Sequence, residues 1–169
     1  MSSEASDDPL FMNLDDGDPV VIQASMEAKQ TLQQSLNAAT HKHFPEATCL
    51  VKAPFIDRSD TNEQALVRTS ETALANPSRP ICHLWLRVTS VMDDLIFCCI
   101  GEAPGALRLN RGDSFVIENA LIEDWLINDN GTAFGGFSLR VIRSRLSNSE
   151  QIKFDALTGI REFKTLPVS

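Results

Sequence analysis

The chain has 169 residues, 43% of them hydrophobic, and a formal net charge of −8. Such a length sustains one domain whose core removes about two-thirds of the unfolded surface from water without staples. The acid excess disfavours nucleic acid as a partner, because phosphate contact needs clustered lysine and arginine. No apolar run approaches the roughly 18 residues of a membrane helix and no standard export signal is expected, so no membrane partner is expected either. Cys49, Cys82, Cys98 and Cys99 form neither a CxxC pair nor a zinc-ligand spacing, which points to a reducing, cytoplasmic setting.

Residues 1–19 carry Glu4, Asp7, Asp8, Asp15, Asp16 and Asp18 and no lysine or arginine, so most of the net negative charge sits there. This acidic leader is expected to be flexible at its start, with Leu10, Phe11, Met12 and Leu14 free to dock locally. It is either simply solvated or meets a basic partner. A short extended run at residues 19–22 is followed by Ser25 and Glu27, which read as a helix start. Ala28, Leu32, Leu36 and Ala39 then recur along one narrow face, predicting a helix to about Thr40 that packs on a sheet. His41 and His43 suit a helix C-terminus. Their two-residue spacing followed by Cys49 could in principle seed a metal site, but zinc needs at least three convergent ligands and no second pair is in view, so neither a metal nor a cofactor is expected.

Pro45 ends that helix, and residues 47–56 (ATCLVKAPFI) read as a strand with Pro54 near its end or on an edge. Residues 57–80 are polar. Asp60 followed by Glu63 resembles a capping box and predicts a surface helix over about residues 61–75, closed by Asn76, Pro77, Ser78 and Pro80. The clearest strand is residues 81–91 (ICHLWLRVTSV). Alternation puts Cys82, Leu84, Leu86 and Val88 on a buried face, and His83, Trp85 and Arg87 on a mixed aromatic and basic face suited to a ligand. Asp93 and Asp94 turn the chain, and residues 95–100 return as an apolar strand expected to be central. A loop follows to Gly112, then a short strand at residues 114–118.

Asn130 and Gly131 are the strongest local signal, since a two-residue type I′ turn needs positive φ at both positions. The predicted hairpin has arms at residues 122–128 and 132–141, with Trp125 and Ile127 on one face of the first arm and Leu126 on the other. Gly135 and Gly136 interrupt the second arm. They mark either a packing device under Phe134 or Trp125, or a site where a ligand or partner backbone comes close. Beyond Leu146 the chain turns polar, and residues 152–167 offer a helical turn or a strand, Gly159 arguing against one long helix. The organisation expected is an acidic leader (1–19), one domain (20–146) with a polar insertion (57–80), and a C-terminal extension (147–169).

The sequence holds no Walker loop, no GxGxxG, no GxSxG, no HExxH and no tyrosine. Adjacent Glu123 and Asp124 point apart on a strand and cannot form a paired acid and base. Asp129 lacks the glutamate that a calcium loop carries at its twelfth position. His83 is the best titratable candidate, either a hydrogen-bonded structural histidine or part of a site. No catalytic residue is assigned.

VKAPF (residues 51–55), HLWL (83–86), the Gly112-Asp113 turn, IEDW (122–125) and GGFSLR (135–140) occur in an order and spacing that resembles a bacterial family of unknown function with YegJ-like members. The resemblance covers about residues 22–143. It implies a compact α+β domain, an N-terminal helix packed on a curved antiparallel sheet with a C-terminal β-hairpin. It also implies that Cys82 stands where an acidic residue commonly precedes the histidine, and that residues 57–80 are an insertion. The leading expectation is a non-enzymatic binding protein, an immunity-type partner of a toxin, presenting the binding residues His83, Trp85, Arg87 and the Trp125 hairpin. The alternatives are a small-molecule binder or enzyme with a pocket between helix and sheet, floored by the binding residues Gly135 and Gly136, and an accessory domain whose acidic tail docks on a basic partner.

Overall fold

The computed structural model describes residues 14, 15, 17–40, 44–75, 77–101 and 107–167; His41, His43 and the leader up to residue 13 lie outside them. Helix α1 (Pro19–Thr40) begins at Pro19, so the run at residues 19–22 is helical, not extended. Asp18 is the reason. Its carboxylate accepts the Val20 N–H at 2.8 Å, and Pro19 takes the first helical position, where a missing N–H costs nothing. The same carboxylate pairs with Arg145. The periodic residues Ala28, Leu32 and Leu36 are buried as their spacing requires.

Among the described residues, eight strands form one open sheet: β1 (Thr48–Ile56), β2 (Leu66–Val67), β3 (Ile81–Met92), β4 (Leu95–Cys99), β5 (Ser114–Glu118), β6 (Asp124–Asp129), β7 (Thr132–Gly135) and β8 (Glu162–Lys164). Their order is β5-β4-β3-β1-β6-β7-β8, with β2 on the end of β1. All pairs are antiparallel except β7 with β8. The fold is therefore α+β. Strand β4, expected to be central, lies next to the edge. Pro54 is tolerated inside β1 because pairing with β6 stops at Lys52 and pairing with β2 begins at Phe55. The helix expected over residues 61–75 is instead a 3-10 turn (Ser59–Thr61), strand β2 and a short helix α2 (Ser70–Ala75). Thr69 caps α2 by accepting the Thr72 N–H at 3.2 Å.

The β6–β7 hairpin turns on Asn130 (φ 51°) and Gly131 (φ 94°), as predicted. Its second arm ends at Gly135, not near residue 141, and helix α3 (Phe137–Ser144) follows. Consecutive left-handed residues, Gly135 (φ 74°) and Gly136 (φ 62°), swing the chain out of the sheet and into the helix. Residues 147–169, read from sequence as an extension, supply α4 (Asn148–Thr158) and β8. Ser147 and Glu150 close a capping box at the start of α4, and Gly159 ends it in the left-handed region. Phe154 of α4 is fully buried.

Register assigns the two sheet faces. Val51, Leu86 and Trp125 share one row, and with Phe55, Leu84, Ile96, Cys98 and Ile117 they meet Ala28, Leu32 and Leu36 of α1 in the main core. Leu126 and Ala133, on the other face, meet Leu139 and Ile142 of α3 and Phe154 of α4; Leu14, Leu50, Trp85 and Phe163 pack at the margin. The β3–β5 half of this second face is left largely to solvent, with His83, Arg87, Ser114, Val116 and Glu118 exposed.

Candidate functional site

Alternation along β3 brings His83, Trp85 and Arg87 to the open face, as the sequence predicts. Lys52 lies beside Trp85 in register, and Cys99 beside Arg87. Trp85 is half-buried against the margin of the second cluster, so one side of its indole is anchored and the other is available. Among the described residues, neither Lys52 nor Arg87 has a carboxylate within ion-pair distance.

His83 Nδ1 lies 2.6 Å from a Glu123 carboxylate oxygen, with side chains 36% and 31% exposed. Glu123 is positioned by its own N–H, which donates to the Lys52 carbonyl at 2.8 Å. A carboxylate thus reaches His83 from across β1. Glu123 and Asp124 do different work, the first on His83 and the second at the start of helix α3.

Asp124 turns inward and is 2% exposed. It accepts the Trp125 N–H at 2.8 Å, the Phe137 N–H at 3.2 Å, the Ser138 N–H at 2.8 Å and the Ser138 hydroxyl at 2.6 Å. Helix α3 has Gly136 at its N-cap and no side-chain cap of its own, so a strand residue satisfies its first N–H groups. Burial pushes the Asp124 carboxyl up from the usual carboxylate range against the pull of those donors. Nothing in the local sequence marks this role, because the cap lies outside the helix it serves.

The six sequence-predicted residues therefore divide. His83, Trp85 and Arg87 share the open face. Trp125 is on the same sheet but on the opposite face, 2% exposed, its Nε1–H donating to Thr31 Oγ1 at 3.0 Å and its ring edge-on to Phe137 at 5.8 Å. Gly135 and Gly136 are buried too. A Cβ at Gly135 would stand 2.5 Å from the Trp125 carbonyl oxygen, and the indole fills the space above it. The expected exposed presentation of Trp125 is corrected accordingly, and the space over Gly135 and Gly136 is filled from within the chain, by Trp125 and Leu126 in turn.

Burial pushes the Cys49 thiol up to about 11 and the Cys98 thiol up to about 12, so both are protonated at neutral pH. A groove of about 390 Å³ lies between α1 and α3, not between helix and sheet, with Val20, Ala24, Glu27, Phe137, Arg140 and Val141 among its lining residues. Arg140 lies over the rings of Phe137 and Phe163 at 5.3 and 5.0 Å and donates to the carbonyls of Gly135 and Lys164. Among the described residues, no three histidine, cysteine, aspartate or glutamate side chains gather as a metal-holding group. Nor, among them, is any helix long and apolar enough to cross a membrane.

A putative ankyrin repeat protein of Neisseria meningitidis serogroup B is 29% identical over 82 residues, a match covering 47% of this chain and 32% of that relative. The matched segment thus spans about a third of the relative's length. No solved structure matches the chain. A family model described as an uncharacterised protein conserved in bacteria, DUF2314, matches residues 18–162. That match runs from the Asp18 cap of α1 to the start of β8, and the chain belongs to this bacterial family.

Proposed function

We propose that the chain is a cytoplasmic, non-enzymatic binding protein of the immunity type, which holds a toxin through the open half of its sheet. Within the family we place it among the YegJ-like members on its VKAPF, HLWL, IEDW and GGFSLR runs. The observation that carries the reading is Trp85, half-buried at the margin of a packed cluster, beside Arg87 and the His83–Glu123 pair on a solvent-facing sheet. Tryptophan and arginine are favoured interface anchors, and a half-packed indole loses little freedom when a partner covers it.

The test is copurification with a toxin encoded beside this chain, followed by affinity measurements. Trp85→Ala and Arg87→Ala should each weaken binding by about 30-fold, the effect of losing an anchor worth about 2 kcal/mol, while circular dichroism stays unchanged. Full affinity in both variants would sink the reading. A second reading is favoured by the α1–α3 groove, where Glu27 and the stacked Arg140 face apolar walls and offer both signs of charge to a small zwitterion. Thermal shifts across a metabolite panel, lost in Arg140→Gln, would support it; a flat panel would end it.

A further inference from the structure

The open face does not end at Arg87. Further along β3, Met92 pairs with Leu95 and Leu95 with Glu118, while in the adjoining row Ser90 pairs with Phe97 and Phe97 with Val116. Directly paired residues point to the same face, so Met92, Leu95, Phe97 and Val116 make one contiguous apolar patch. Three of them are open to solvent, Met92 at 62%, Leu95 at 38% and Val116 at 53%. Single exposed apolar residues need no explanation, whereas a joined patch of them marks an interaction surface. Its rim is acidic. Asp93 and Asp94 form the β3–β4 turn, Glu118 ends β5, all three are exposed, and among the described residues none of the three is in an ion pair. Strand β5 is also the edge of the sheet, so nothing further in the ladder covers the patch.

We propose that the β3–β4–β5 corner docks a basic protein surface, an apolar side chain of the partner seated among Met92, Leu95, Phe97 and Val116 and its lysines or arginines meeting Asp93, Asp94 and Glu118. The proposal rests on the protein-binding reading above and names the chemistry of the partner. Charge complementarity selects that occupant. The exposed carboxylates of Asp93, Asp94 and Glu118 draw a cationic protein inward and repel an acidic one, an anionic lipid surface or a nucleic acid. The apolar patch supplies the short-range hold that charge alone cannot give in salt.

The experiment titrates the isotopically labelled full chain with a short peptide alternating lysine and leucine, against a glutamate–leucine control, and follows backbone amide shifts. The basic peptide should perturb residues 90–97 and 114–118. Val116→Ser, and separately Asp94→Asn with Glu118→Gln, should each weaken it by about tenfold or more. These side chains are exposed, and if one variant fails to fold the other decides. Shifts centred elsewhere, equal binding of the glutamate peptide, or unchanged affinity in the folded variants would overturn the proposal. Perturbation confined to residues 83–87 would leave the protein-binding reading standing and remove the corner; no perturbation of the sheet by either peptide would count against both.

Discussion

Replacing Asp124 by asparagine tests whether a strand carboxylate holds helix α3 in place. Four donors converge on it, three of them backbone N–H groups, and hydrogen bonds to a charged acceptor are worth about 1.5–3 kcal/mol each. Much of that gross gain offsets the several kcal/mol needed to desolvate a carboxylate that is only 2% exposed. The net loss on breaking such a buried arrangement is about 3–5 kcal/mol. Asparagine keeps one acceptor but turns an NH2 group toward groups that are themselves donors, so it recovers little. For a chain of this size the loss lowers the melting temperature by about 10 °C. Urea unfolding followed by far-ultraviolet circular dichroism measures it, and a cycle with Ser138→Ala should show a coupling above about 1 kcal/mol. A D124N variant within about 1 kcal/mol of the parent, or no coupling to Ser138, would refute the capping role.

Gly135→Ala should cost about 3 kcal/mol or more, since a Cβ there collides with the Trp125 carbonyl and indole at a φ of 74°. Gly131→Ala, which meets only the movable end of the Arg161 side chain, should cost about 1–2 kcal/mol at its φ of 94°. Equal losses in denaturant midpoints would count against the tryptophan-over-glycine packing. The Arg143 guanidinium, bonded at 2.7 and 2.8 Å, holds the Asp155 carboxyl below the usual carboxylate range. That group's stability contribution is present above its unfolded pKa and is lost as pH falls through the lower folded value. Arg143→Gln should therefore lower stability modestly at neutral pH, leave it unchanged once pH has fallen below the folded value, and so flatten the acid limb below about pH 4. Thiol reagent at pH 8 should leave Cys49 and Cys98 unreacted in the folded chain, their thiols held up to about 11 and 12, and label both in denaturant. Prompt labelling of Cys98 in buffer would contradict its burial.

The hairpin at Asn130-Gly131, the β3 alternation and the apolar stripe of α1 were legible because each depends on residues only a few positions apart. The start of α1 was misplaced, because the Ser25 and Glu27 signal competes with the Asp18-Pro19 pair that sets it. Glycines 135 and 136 announce a break in the second arm. Whether a bulge, a ligand or a helix follows depends on what stands over them, and that is Trp125, brought into register only when β6 pairs with β7. The open face was half legible. Alternation within β3 groups His83, Trp85 and Arg87, but Glu123 joins them from across β1.

By itself, then, the sequence determined the Asn130-Gly131 turn, the alternation of β3 and the buried stripe of α1, since turns and periodicities are set by neighbouring residues acting on one stretch of backbone. Only the tertiary structure decided which tryptophan is offered to solvent and which is locked under α1, because a strand has two faces and its burial depends on what packs against each. It alone divided the adjacent acids, sending Glu123 to His83 and Asp124 to the start of α3. Hydrogen bonds between positions 40 and 14 residues apart form only when the sheet register has already placed their partners within reach.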